Sequence, residues 1–172
     1  MDREDDFRKY VAGRQRALLR TAWLLTGDWG AAEDLVQTAL VRAWPHWGRI
    51  GGGRGADAYV RKIMVNTSTD WRSRRWRGEI PTGDLPEAAG QGRPDAGDAA
   101  AVQQALLAAV RTLPPRQRAV VVLRYFEDLS EASTAEILGC SPGTVKSQAS
   151  RAIATLRRDP ALADLDLQGS AS

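Results

Sequence analysis

One cysteine, Cys140, and one histidine, His46, stand in a chain of 172 residues. A structural zinc site needs four such ligands, so none can be built, and a lone thiol excludes a disulfide framework. No stretch approaches the ~20 apolar residues of a membrane span. The amino terminus, MDREDDFRKY, is charged, with no signal-peptide run behind it. These absences predict a soluble, cytoplasmic protein without membrane insertion. Strand-like alternation is missing as well, which points to an all-α chain. The Gly51-Gly52-Gly53 run follows no strand and is no nucleotide-binding fingerprint. With no metal cluster and no nucleophile–base pair in view, the expectation is a protein without catalysis or cofactor of its own.

Charge is plentiful but unevenly placed. Residues 1–77 carry 15 basic and 9 acidic side chains, and residues 101–160 carry 8 and 5. Between them, residues 78–100 hold 1 basic and 5 acidic groups and almost no large apolar residue. Such a segment cannot bury a core and reads as a flexible acidic linker. Two basic blocks on either side suggest two nucleic-acid-facing modules.

The second block carries the sharpest signal, Leu129 to Arg158, LSEASTAEILGCSPGTVKSQASRAIATLRR. Ser130 can cap a helix over about Glu131–Leu138, and Gly139 supplies a left-handed stop. Ser141-Pro142 then restarts the chain as N-cap and first helical residue. Val145, Ala149, Ala152 and Leu156 make one buried stripe. Lys146, Ser147, Gln148, Ser150, Arg151 and Arg158 lie off it and suit base edges and phosphates. Two short helices, a tight turn and a polar outer face form a helix-turn-helix fit for the major groove. An ordinary helical hairpin with a solvated face has the same pattern.

Helical periodicity fills the first block. Phe7, Tyr10, Val11, Leu18, Ala22 and Leu25 mark one helix, ended at Gly27–Gly30. Ala32, Leu35, Val36, Ala39, Leu40, Ala43, Trp44 and Trp47 mark a second with both tryptophans in the core. Gly48 to Gly55 reads as a loop. A third helix buries Val60, Ile63, Met64 and Thr67 and runs into DWRSRRWR, where Trp71 is in phase with the core and Trp76 is not. Arginine there can hold phosphate and tryptophan can stack on unpaired bases. Helices resume at Val102, stop at Pro114-Pro115, and continue over about Arg116–Tyr125.

The order AEDLVQTALVRAW, a basic-aromatic helix, an acidic linker, LPPRQRAVVVLRYFEDLS and LGCSPGTVKSQASRA resembles the extracytoplasmic-function sigma factors of the sigma-70 family. Within them it is most similar to the SigE-type actinobacterial group. The resemblance covers about residues 5–158 and implies a division into sigma region 2 (1–77), linker (78–100), region 4 (101–160) and a disordered tail (161–172). It implies a promoter-recognition subunit that binds core RNA polymerase, reads the −35 and −10 elements and starts melting, while the polymerase does the chemistry.

Residue roles follow from the resemblance alone. Glu33, Asp34, Leu35, Gln37 and Thr38 fall on the helix that docks on the β′ clamp helices, with the β subunit a further contact. Glu33 and Asp34 would also simply favour a helix amino terminus. Ile63–Thr67 falls on the region 2.3 loop that captures a flipped −10 base, with Asn66 facing that base and Thr67 beside it. Arg72, Arg74, Arg75, Trp76 and Arg77 extend this −10 surface. Ser147, Gln148 and Arg151 would read −35 bases, while Arg116 and Lys146 hold phosphates. The elements, roughly 17 base pairs apart, are ~58 Å from each other at 3.4 Å per step. A ~23-residue linker spans only ~25–30 Å as a coil, though ~75 Å when drawn out. Thr134 stands where the family has a larger aliphatic residue, and its hydroxyl calls for a partner such as the i−4 carbonyl. An anti-sigma factor is a further candidate partner. The rival readings are a helix-turn-helix regulator acting on duplex DNA without replacing sigma, and a sigma-like interaction module.

Overall fold

The computed structural model describes residues 2–76 and 97–162, with no strand among them, so the all-α expectation holds. Two helical regions are formed. The first comprises α1 (Arg3–Thr26), α2 (Trp29–Ala43), a short α3 (Trp47–Ile50) and α4 (Arg54–Trp76). The second comprises α5 (Gly97–Thr112), α6 (Pro115–Val121), α7 (Glu131–Leu138) and α8 (Pro142–Arg157).

Local chemistry sets the boundaries. Gly27 ends α1 at φ 76°, its N–H bonded to Trp23 O, a conformation open to glycine without steric cost. Asp28 then caps α2 by accepting from Ala31 N at 2.8 Å. Trp29 and Gly30 therefore belong to α2 rather than to the break before it. Pro45 lacks the N–H that a continuing helix needs, and the chain passes through one 3-10 turn, Trp44–His46, before α3. The turn splits the two tryptophans. Trp47 is buried, its Nε1 donating to Asp6 at 2.9 Å. Trp44, expected in the core, is 37% exposed, edge-on to Phe7 with the Arg3 guanidinium over its ring. The stretch expected as a loop over 48–55 is half helical, since α3 and the start of α4 enclose only 51–53.

Leu18, Ala22, Leu25, Leu35, Val36, Ala39, Val60, Met64 and Val65 form the core of the first region, each large aliphatic contributing about 1.5–3 kcal/mol on burial. Asp57 ties α1 to α4, accepting from Tyr10 OH at 3.1 Å and Arg14 Nε at 2.9 Å. Burial, and then the Asp57 charge, push the Tyr10 phenol above its ordinary range.

In the second region α8 packs the predicted stripe: Val145, Ala149, Ala152 and Leu156 are all buried. The α5 helix starts at Gly97, so residues 97–100 are helical and not linker. A 3-10 turn, Pro160–Leu162, buries Leu162 beneath α5 and α8, which takes Ala161 and Leu162 out of the expected disordered tail. The rest of the linker and tail lies outside the described residues. After α6 the helix widens into a π-turn over Val122–Phe126, with Glu127 N donating to Val122 O at 2.9 Å. Asp128 follows at φ 52°, a left-handed conformation that aspartate tolerates better than most side chains.

The two regions are not separate bodies. Ala119, Val122, Leu123 and Ile137 of the second are buried in one cluster with the α1, α2 and α4 core of the first.

Candidate nucleic-acid interface

Helix α2 sorts its predicted docking residues by phase. Glu33, Asp34 and Gln37 are exposed, Thr38 is half-buried, and Leu35 is fully buried. Leu35 is thus a core residue and is withdrawn from the docking set: it falls on the inward stripe with Ala32 and Ala39. No acid lies in the first turn of α2, whose cap is Asp28. Glu33 and Asp34 stand beyond the reach of the helix end, which removes the simple helix-start explanation for them. Val41, 72% exposed, extends the same edge with an apolar side chain.

Next to that edge lies an open groove of about 800 Å³ between the end of α2 and α4. Arg42, His46, Tyr59, Asn66, Thr67 and Trp71 are among its walls. Asn66, expected on a loop, is exposed in the middle of α4; Ile63–Thr67 is helical because its apolar members continue the α4 stripe. Thr67 is 4% exposed and accepts from Arg42 Nη1 at 3.0 Å. It orients Arg42 at the groove and offers little surface of its own. Donors, an amide and aromatic rings in one groove are what an unstacked nucleobase requires. Arg42, His46 and Tyr59 were not picked out from the sequence, although Arg42 and His46 sit at the mouth of the groove one turn apart, a spacing that could have flagged them.

The basic end of α4 is divided. Arg74 is exposed, 3.7 Å from Asp70. Arg72 is half-buried and turned inward, donating to Arg111 O at 3.0 Å. Arg75 and Trp76 close α4 as backbone; their side chains and the whole of Arg77 lie outside the described residues.

On the second region the helix-turn-helix forms as its caps dictate. Ser130 accepts from Ser133 N at 3.0 Å, Gly139 ends α7 at φ 66°, and Ser141 accepts from Thr144 N at 3.1 Å. Lys146, Ser147 and Arg151 are exposed along one face of α8, with Gln148 half-buried beside them. Arg116 is exposed at the start of α6. Thr134 is fully buried and its Oγ1 has no partner, so the expected bond to the i−4 carbonyl is not made; Ser130 O accepts from Thr134 N at 2.9 Å.

Two helical regions of this kind, one with an acidic-edged helix beside a polar groove and one with a helix-turn-helix, define a bipartite promoter-recognition architecture. Residues 11–78 match the family described as Sigma-70 region 2, and residues 103–156 match Sigma-70, region 4. The chain is 45% identical over 161 residues to the RNA polymerase sigma-E factor of Streptomyces coelicolor, covering 94% of this chain and 89% of that one. It is 37% identical over 142 residues to the ECF RNA polymerase sigma factor SigL of Mycobacterium tuberculosis, covering 81% and 80%. Among solved structures it is similar to the sigma factor RpoE in complex with the anti-sigma factor NepR from Bartonella quintana, with TM-score 0.68, 28% identity, and coverage of 94% and 98%. It is also similar to CnrH in complex with the cytosolic domain of CnrY, with TM-score 0.61, 26% identity, and coverage of 93% and 88%. The chain belongs to the sigma-70 family, as an extracytoplasmic-function RNA polymerase sigma factor acting in transcription initiation. Among the described residues no helix is long and apolar enough to cross a membrane.

Proposed function

We propose that this sigma factor docks on the β′ clamp helices of core RNA polymerase through Glu33, Asp34, Gln37 and Thr38, with the β subunit as a second contact. It then reads promoter DNA at two places. The α2–α4 groove takes a base extruded from the −10 element, with Asn66 and Arg42 offering hydrogen bonds and Tyr59 and Trp71 offering ring surface. Arg74, Arg75, Trp76 and Arg77 continue that surface along the strand. The exposed face of α8 enters the major groove at −35 with Ser147, Gln148 and Arg151 toward bases, while Lys146 and Arg116 hold phosphates. Melting starts because the captured base offsets part of the few kcal/mol needed to unstack it.

The groove carries this reading: Arg42 and Asn66 are exposed in it beside the half-buried rings of Tyr59 and Trp71, and it adjoins the acidic edge of α2. Exposed carboxylates there meet a basic partner by charge-assisted hydrogen bonds. RpoE and CnrH are each bound to a second protein in the solved structures, RpoE to an anti-sigma factor. An anti-sigma factor is accordingly the third partner we assign. Bond formation belongs to the polymerase, and this chain works in the cytoplasm beside it.

Run-off transcription with purified core polymerase and a genomic promoter library tests the assignment. Addition of the protein is expected to produce new starts sharing −35 and −10 motifs. Asp34→Arg is expected to weaken polymerase binding ten- to a hundredfold, a loss of about 1.4–2.8 kcal/mol, with helicity unchanged. A folded protein that produces no new starts, or an Asp34→Arg variant that binds as tightly as wild type, would remove the corresponding part.

A further inference from the structure

One side chain in the wall of the α2–α4 groove has no task among the contacts assigned above. His46 closes the 3-10 turn Trp44–His46 and lines the groove with Arg42, Tyr59, Asn66 and Trp71. Its backbone is held on both sides. Pro45 before it has a fixed φ. Trp47 after it is 2% exposed, donates from Nε1 to Asp6 at 2.9 Å, and packs on Phe7 and Tyr10 with ring centroids 4.8 and 4.9 Å away. The His46 ring is half-buried and edge-on to Tyr59, with centroids 6.1 Å apart. Its Nδ1 lies 2.9 Å from Arg49 Nη2. A guanidinium has donors and no acceptor, so Nδ1 accepts this bond and the proton of the neutral ring sits on Nε2. Among the described residues Nε2–H has no hydrogen-bond partner.

We propose that His46 is a specificity-determining residue: its Nε2–H donates to a ring nitrogen or carbonyl oxygen of the base extruded from the −10 element, and Arg49 is the positioning residue that keeps the proton there. The proposal rests on the base capture assigned to this groove. Two features of the site carry it. The first is a repeated device. Arg42, four positions before His46, is held by Thr67 Oγ1, which accepts from its Nη1 at 3.0 Å; His46 is held in turn by Arg49. Each of these groove donors is tied by a second side chain and keeps another N–H to offer. A donor oriented in advance gives up little freedom when the base arrives. The second is charge. With Nδ1 accepting, the ring is a neutral donor. Phosphate is served by cations, which arginines supply along α4. A neutral donor of fixed direction adds little to that attraction, but it distinguishes an acceptor on a base edge from a donor.

The direction of the bond sets what is refused. An exocyclic amino group placed against Nε2 would set donor against donor and leave both unpaired, whereas a carbonyl or ring nitrogen completes the bond. Sites built to make one hydrogen bond reject ligands that cannot make it, because the site's own polar group is then left without a partner. Asn66 does not supply this discrimination by itself. Its amide carries an acceptor as well as donors and can turn either end to the base. Were the His46 proton on Nδ1 instead, Nε2 would accept and the preference would reverse. Arg49 blocks that switch, since its N–H groups leave Nδ1 only the accepting role.

Holoenzyme assembled from the full chain and core polymerase is titrated with promoter fragments already opened at −10, in which each non-template position carries in turn A, C, G, T or an abasic site. Wild type is expected to prefer one base at one position over the other three and over the abasic site. His46 is half-buried and Arg49 exposed, so substitutions at both are expected to leave the fold intact. His46→Ala is expected to narrow the preference about three- to tenfold, the worth of one hydrogen bond, with affinity for the abasic fragment unchanged. His46→Gln, whose amide can present a donor where Nε2–H stood, is expected to restore part of it. Arg49→Ala is expected to narrow the preference by a smaller factor in the wild-type background, and not at all in the His46→Gln background, where there is no tautomer to set. An equal loss from His46→Ala on every fragment, the abasic one included, would overturn the proposal in favour of a packing role. Equal losses from Arg49→Ala in both backgrounds would make Arg49 a phosphate contact and overturn its positioning role. A wild-type preference untouched by His46→Ala would remove His46 alone, whereas a wild type with no preference at any position would remove base capture by the groove and His46 with it.

Discussion

Burying a hydroxyl without a partner costs about 1–3 kcal/mol by mutational measures, and Thr134 does so at zero exposure. Valine has the same shape with a methyl in place of the hydroxyl. Thr134→Val is therefore expected to raise the stability of the chain by about 1 kcal/mol or more, read as a higher urea midpoint at unchanged slope. A lower midpoint would show that the hydroxyl is satisfied in solution. Ala135 and Ile137 of the same helix are buried as well. The resemblance put this threonine at an aliphatic position and the i−4 carbonyl was its expected partner; a ladder carbonyl can take a second donor, as Ala17 O does from Thr21 Oγ1 at 3.2 Å, but the Thr134 hydroxyl makes no such bond.

At the scale of elements, α7 and α8 are the most legible part of the chain. Each boundary is set by a side chain acting on its own backbone: Ser130, Gly139, Ser141, Pro142. Local chemistry of that kind can be read without knowing the fold. Ser141 accepts from Thr144 N at 3.1 Å and is exposed. Ser141→Ala is expected to destabilise the chain by about 1 kcal/mol and to reduce −35 duplex binding, since α8 frays where its reading residues begin. Equal thermal midpoints for the two proteins would show that packing by Val145 and Ala149 holds that end without its cap. The first region was legible in its periodicity and less so in its punctuation. The i, i+3, i+4 pattern ran on through Trp44 and Trp47 as though Pro45 were not there, and one turn of 3-10 geometry was enough to put Trp44 outside. Asn66 was misplaced for the opposite reason: its role was carried by a resemblance to a loop, while its neighbours Met64 and Val65 kept the helical phase that α4 follows.

At the scale of the molecule, the join between the regions left no trace in the sequence pattern. Arg118 Nε donates to Leu24 O at 2.9 Å across 94 positions, and the acceptor is a backbone carbonyl, which every residue carries. Only the absence of a partner acid could have hinted that Arg118 was destined for such a place. The shared core makes a consequence that needs neither polymerase nor DNA. All six tryptophans lie before residue 77, so intrinsic tryptophan fluorescence reports region 2. A fluorophore on Cys140, the lone thiol and half-buried beside α7, reports region 4. Because Ala119, Val122, Leu123 and Ile137 are buried together with α1 and α4, opening either region exposes apolar surface of the other, and the two are expected to unfold as one cooperative unit. The probes should then give coincident urea midpoints in wild type. Arg111→Ala with Glu127→Ala removes the contacts of Arg111 to Gly27 O and of Glu127 to Thr21 and Arg61 while leaving those of Arg118 to Leu24 O and each region's own core in place, and is expected to draw the midpoints apart, with the less stable region unfolding first. Separate midpoints already in wild type would mean that the shared cluster couples the regions too weakly to make them one cooperative unit.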